Sequence, residues 1–239
     1  MENVSSAFHT GPRKGYWLNE KEERHYQRLF EAQAARSYLY LSLGIGLIAI
    51  IMPLLLMWMG GYQIHDSMSS YYTMDVRSSR DIFVGCLCAI GVFLVLFHGL
   101  SRLENWLLNF AGMAIILVAL IPMPVSEILH RGFAVVFFLL IGIVAIFLSK
   151  SRVHCIDSGA KRLFYKTAYT VVGAFMVAAP LAATAFQFAL GSASHWVFWA
   201  EFIGIASFSV YWFLKTSEYR LLLRIRWFAP NSEKARPAN

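Results

Sequence analysis

The side chains able to do chemistry gather in one polar stretch, HDSMSSYYTMDVRSSRD, which runs from His65 to Asp81. It holds His65, Asp66, Ser69, Tyr71, Tyr72, Asp75, Arg77, Arg80 and Asp81. Two shorter groups follow, one of Glu127, His130 and Arg131, the other of Ser192, Ser194 and His195. A lone carboxylate, Glu201, then sits inside the apolar run VFWAEFIGIASF. His65, His130 and His195, with Asp66 or Glu127, have the ligand types of a zinc site with one open position. Ser69, His130 and Asp66 have the types of a nucleophilic triad. Arg77 and Arg80 suit a phosphate, and Asp66 and Glu201 suit an amine.

Each of these has a simpler alternative. Histidines scattered through polar loops are commonly solvated, and no HxxxH or HExxH spacing ties these three together. Asp81 can cap the helix it opens and meet the positive end of its dipole. The serines and tyrosines of SMSSYYT can satisfy their own loop backbone. Glu201 can hydrogen-bond a serine, tyrosine or arginine of a neighbouring helix. A carboxylate at that depth is costly, by ~3 kcal/mol on insertion scales, and usually faces the bundle interior. His195 lies six residues earlier, ~9 Å along a helix axis and nearly two turns, so both can face one cavity.

These groups need a scaffold, and the composition says which kind. The chain has 239 residues, 58% hydrophobic and 15% charged, with a mean hydropathy of +0.54. Soluble domains carry about a quarter charged residues. The expected fold is all-α, a polytopic membrane bundle of six transmembrane helices. The apolar spans fall at 38–59, 81–99, 106–122, 132–149, 164–188 and 195–214, each near the ~20 residues that cross a hydrocarbon core. Pro53 and Pro180 should kink the first and fifth spans. Residues 1–37 form an N-terminal segment with an interfacial helix over 19–37. Asn19 and Glu22 supply its capping box, and Tyr26, Leu29, Phe30 and Gln33 share one face. Residues 215–239 read as a basic amphipathic tail.

Nearly all 21 lysines and arginines fall in 1–37, 99–105, 150–163 and 215–239 or within a turn of them; Arg77, Arg80 and Arg131 are the exceptions. The positive-inside rule then puts both termini in the cytoplasm, with the polar stretch at the outer face. Trp58, Trp106, Trp196, Trp199 and Trp212 fall near span ends, as interfacial aromatics. Cys86, Cys88 and Cys155 read as free thiols, because no CxxC is present. Small residues suggest that Gly85 and Ala89 of the second helix meet Ala200 and Gly204 of the sixth, which would bring Glu201 near Gly85 or Cys86.

The net charge of +7 points to anionic lipid surfaces rather than nucleic acid. CxxCH, GxGxxG and GxxxxGK[ST] are absent, so no cofactor is expected. Three functions fit. The first is a membrane protein with a ligand site near its outer face, built from Glu201, His65, Asp66, Ser69, Tyr71, Tyr72, Arg77, Arg80, Asp81 and His195, for a lipid headgroup or small amphiphile. The second is an accessory subunit whose N-terminal helix and C-terminal tail dock a membrane-protein partner. The third is a metal-dependent hydrolase of lipid amides or esters.

The ordered motifs SMSSYYT, RDIFVGCLCAIGVFL, ENWLLNFAG, KRLFYKTAYTVVG and FWAEFIGIASFSVYWFLK span roughly residues 65–215. They resemble a group of small bacterial inner-membrane proteins without an assigned activity. The layout is similar to the Frag/DRAM/Sfk superfamily of six-helix proteins, which the resemblance ties to lipid organisation and membrane signalling. It carries over no catalytic residue. The hydrolase reading is loosely similar to the ceramidase-like enzymes, but those have seven spans and a paired-histidine motif in the last, where this chain has one histidine.

Overall fold

The computed structural model describes residues 20–73, 77–99, 101–121, 123–151, 153–156, 158–190 and 195–228. Asn19, Asp75, Ser192 and Ser194 lie outside them, and so does the side chain of Arg77. Helix is the only regular secondary structure among the described residues, which contain no strand. The α-helices are α1 Glu20–Met59, α2 Arg77–Leu96, α3 Arg102–Leu120, α4 Glu127–Ile143, α5 Gly159–Leu190 and α6 Trp196–Phe228. Among the described residues six helices are long and apolar enough to cross a membrane, which is compatible with an integral membrane protein. Two compact units are present, Met1–Ser37 and Tyr38–Asn239. In the first, Tyr26, Leu29 and Phe30 are exposed. The second contains the bundle.

Several boundaries differ from the hydropathy reading for local reasons. Helix α1 is continuous from Glu20, and α6 runs past Lys215 to Phe228, since neither junction contains a glycine or proline to stop it. Helix α2 begins at Arg77, so Asp81 lies in its second turn and cannot cap it. α1 and α5 continue through Pro53 and Pro180. The end of α1 is a Schellman turn: the Tyr62 amide donates to Met57 at 2.8 Å and Gly61 to Trp58 at 3.2 Å, with Gly61 at φ +66°. Beyond α4 the helix widens to a π turn over Val144–Leu148.

Glycines set two close helix contacts, but not the expected pair. A Cβ on Gly91 of α2 would lie 2.7 Å from the Gly112 carbonyl of α3, and one on Gly112 would lie 2.6 Å from the Gly91 carbonyl. Gly142 of α4 and Gly173 of α5 approach in the same way. Gly85 has nothing within 4 Å, and Gly204 faces Phe138 and Ala179 of α4 and α5. The predicted α2–α6 contact through Gly85 and Ala89 is therefore replaced by Gly91 on α3, one α2 position being open and the other packed. α1 is tied to α6 by hydroxyls, Ser42 to Thr216 at 2.9 Å and Ser209 to the Gly46 carbonyl at 2.7 Å.

Trp58, Trp106, Trp196 and Trp199 are exposed, but Trp212 is fully buried edge-on to Phe97 at 4.8 Å. It belongs to the core rather than to an interfacial belt. Cys86 and Cys88 are half-buried, Cys155 is exposed, and all three are free thiols.

Candidate functional site

The segment after α1 folds as a short 3-10 helix, Met68–Thr73, and two helices and the turn after α1 pin it. Glu201 of α6 accepts the Met68 amide through one carboxylate oxygen at 2.7 Å. Its other oxygen accepts the Ser67 hydroxyl at 3.4 Å. Ser69 and His130 of α4 are hydrogen-bonded, Oγ to Nε2, at 2.8 Å. The Phe198 amide, in the first turn of α6, donates to the Asp66 carbonyl at 3.1 Å. The last anchor is from the turn after α1, where the Tyr71 hydroxyl donates to the Gln63 carbonyl at 2.6 Å. Tyr71 is fully buried, and burial pushes its hydroxyl above the usual tyrosine value. Its ring lies so close to α1 that a Cβ on Gly60 would sit 2.6 Å from it.

Beneath this segment is a cavity of about 90 Å³. Its walls are apolar, with Met52 of α1, Phe83 and Leu87 of α2, Ile115 of α3 and Phe208 of α6 among them. Met68 roofs it, and its polar groups are Ser69, His130, Arg131 and Glu201. A second cavity of about 50 Å³ lies on the other side of Glu201, toward Pro180 and Thr184 of α5. Arg131, Ala134, Phe138 and Glu201 line both. Arg131 is also held by Glu127, one turn earlier, at 2.7 Å.

The Ser69–His130 pair has the distance of a nucleophile and its base. The His130 Nδ1–H donates to the Ile121 carbonyl at 2.8 Å, because a carbonyl can only accept. In the neutral ring Nε2 then receives the Ser69 hydroxyl. Asp66, the expected third member, is exposed and contributes only its backbone carbonyl. Acyl transfer also requires donors aimed at the developing oxyanion. The amides around Ser69 are already engaged: Met68 with Glu201, Ser69 with the Ser67 hydroxyl, and Ser70 with the Ser67 carbonyl. The pair is arranged as a tether between the segment and α4.

The remaining candidates are dispersed. His65 is half-buried, edge-on to Tyr71 at 4.8 Å. Tyr72 packs on Phe83. Arg80 and Asp81 form an exposed pair at 3.7 Å, a kind that adds little stability. His195 is exposed and lines neither cavity beside Glu201. Six residues turn a helix by ~600°, which leaves the two side chains ~120° apart. Among the described residues no three His, Cys, Asp or Glu side chains come together as a metal site.

A second polar centre, at the opposite ends of the helices, has no counterpart in the sequence reading. Glu104 of α3 and Lys215 of α6 form an ion pair at 3.4 Å, both 2% exposed. Lys215 also donates to Ser149 at 3.2 Å and faces the Tyr169 and Tyr211 rings. Ser149 hydrogen-bonds Tyr211 at 2.9 Å, and Tyr169 donates to buried Glu218 at 2.5 Å. The available signal was Lys215 directly after a long apolar span, with Glu104 in the first turn of another.

No family model, curated protein or solved structure matches this chain.

Proposed function

We propose that this protein is an integral membrane protein that holds a small amphiphile in the cavity under the Ser67–Thr73 segment, near the outer face, with both termini in the cytoplasm. The observation that carries the reading is the cavity itself, with apolar walls from five helices and a few converging polar groups. At about 90 Å³ it is smaller than the ~150 Å³ cavity that admits benzene. A short apolar terminus fits inside, and the rest of the ligand stays at the rim. There Arg131 offers a cation, Glu201 an anion, and Ser69 a hydroxyl. Such a rim suits a zwitterionic or hydroxylated head better than a strongly anionic one. The Ser67–Thr73 segment acts as the lid, and Glu201 and His130 hold it closed.

The test is ligand retention. Wild type purified in mild detergent should carry a small amphiphile visible by native mass spectrometry. A short-chain zwitterionic amphiphile, at a hundredfold excess over its Kd, should stabilise the delipidated protein by ~2.7 kcal/mol. Ala134→Phe, which fills the space shared by both cavities, should fold and lose both effects. A wild type that neither carries nor responds to any amphiphile would remove the basis of the proposal.

A further inference from the structure

A groove of about 770 Å³ opens at the other end of the bundle, between α1, α5 and α6. We propose that it is a binding site for an anionic phospholipid, distinct from the lidded cavity and independent of it. Two cations, Lys161 of α5 and Arg220 of α6, line the groove, and among the described residues no carboxylate does. Both are exposed, and neither has an ion pair among the described residues. Tyr165 and Ser217 present hydroxyls between them, joined at 3.1 Å. Phe164, Leu39 and Leu221 complete the lining.

This combination separates the groove from the nearby Glu104–Lys215 centre, where the cation is buried against its own carboxylate. Lys161 and Arg220 are left for an anion from outside. A phosphodiester meets both, because guanidinium and ammonium groups bind phosphate oxygens directly. The Tyr165–Ser217 pair retains acceptor capacity for the hydroxyls of a glycerol headgroup.

The surface below the groove favours a lipid over a free anion. On α5 the exposed Phe164, Val171 and Phe175 are spaced seven and then four apart, which places them on one face. They descend ~16 Å from the groove, close to the ~15 Å of one hydrocarbon leaflet. On α6 the exposed Val210 and Ile203 stand seven and fourteen residues before Ser217, on the same side of that helix. An acyl chain lying along this double stripe keeps its phosphate at the cations. The neighbouring chain segments are the basic ones, where anionic headgroups are attracted.

Native mass spectrometry of the full chain in mild detergent, titrated with phosphatidylglycerol or phosphatidylcholine of matched acyl chains, tests the site. Each cation near the surface is worth roughly fivefold in affinity, so the pair should favour the anionic lipid roughly 25-fold. Lys161→Gln/Arg220→Gln should bring the two lipids to near equality while keeping the wild-type melting temperature. Arg102→Gln, an exposed cation outside the groove, should leave the preference intact. The proposal is overturned if wild type shows no preference, if the double variant keeps it, or if inorganic phosphate displaces the lipid as well as another lipid does. Loss of melting temperature in the double variant is resolved with Lys161→Gln alone, which should lose about fivefold.

Discussion

Two carboxylates inside this bundle, Glu201 and Glu104, have different tasks. Glu201 holds a loop backbone, with Met68 on one oxygen and Ser67 on the other. Glu104 neutralises a cation. Removing one partner of a buried pair strands the other charge, which typically costs ~3–5 kcal/mol, whereas replacing both with apolar groups is often neutral or better. Lys215→Met and Glu104→Leu should therefore each lower unfolding stability in detergent by roughly that amount. The double variant should recover most of the loss. Equal, additive losses would show that the two side chains act separately rather than as a pair. At Glu201 the expectation differs: Glu201→Gln keeps an acceptor for Met68 and should preserve the lid, while Glu201→Leu leaves the Met68 amide unpaired.

Helices meet where the chain omits a side chain, and not every glycine marks such a place. Gly91 and Gly112 bring the α2 and α3 backbones together, so Gly112→Ala must push the helices apart. Overpacking of this kind costs ~1–3 kcal/mol. Gly85 meets nothing, so Gly85→Ala should raise stability by up to ~1 kcal/mol through helix propensity alone. Thermal unfolding of the two variants in one detergent checks both signs, and a destabilising Gly85→Ala would show that α2 has a neighbour on that face. The π turn after α4 acts at this scale too. It lets the Ser149 hydroxyl donate to Val144 at 3.1 Å and places it beside Lys215 and Tyr211.

For the whole molecule, the proposed orientation puts the lid outside and the Glu104–Lys215 end inside. Asp66 and Cys155 are exposed at opposite ends. A membrane-impermeant thiol reagent applied to intact cells should label Asp66→Cys and spare Cys155, which should react only after permeabilisation. The reverse pattern would invert the topology and move the lidded cavity to the cytoplasmic side. The anionic-lipid groove would then face the outer leaflet.

Fold class was legible in the sequence because crossing hydrocarbon demands long apolar runs, and such runs survive any detail of packing. The six helices, the polar segment between the first two and the unusual depth of Glu201 all follow from one-dimensional pattern. Partners do not. Whether Glu201 meets Gly85 or Met68 depends on helix rotation, and a difference of six residues already turns His195 away from it. Ser69 and His130 are far apart in the chain and meet only because α4 begins where the 3-10 segment folds back. Lys215 resembled the start of a polar tail, and only the continuation of α6 and the ion pair with Glu104 of α3 turned it into a buried charge. Hydropathy sets which segments leave water, whereas the pairing of their few polar groups is decided by contacts between helices, which no periodicity encodes.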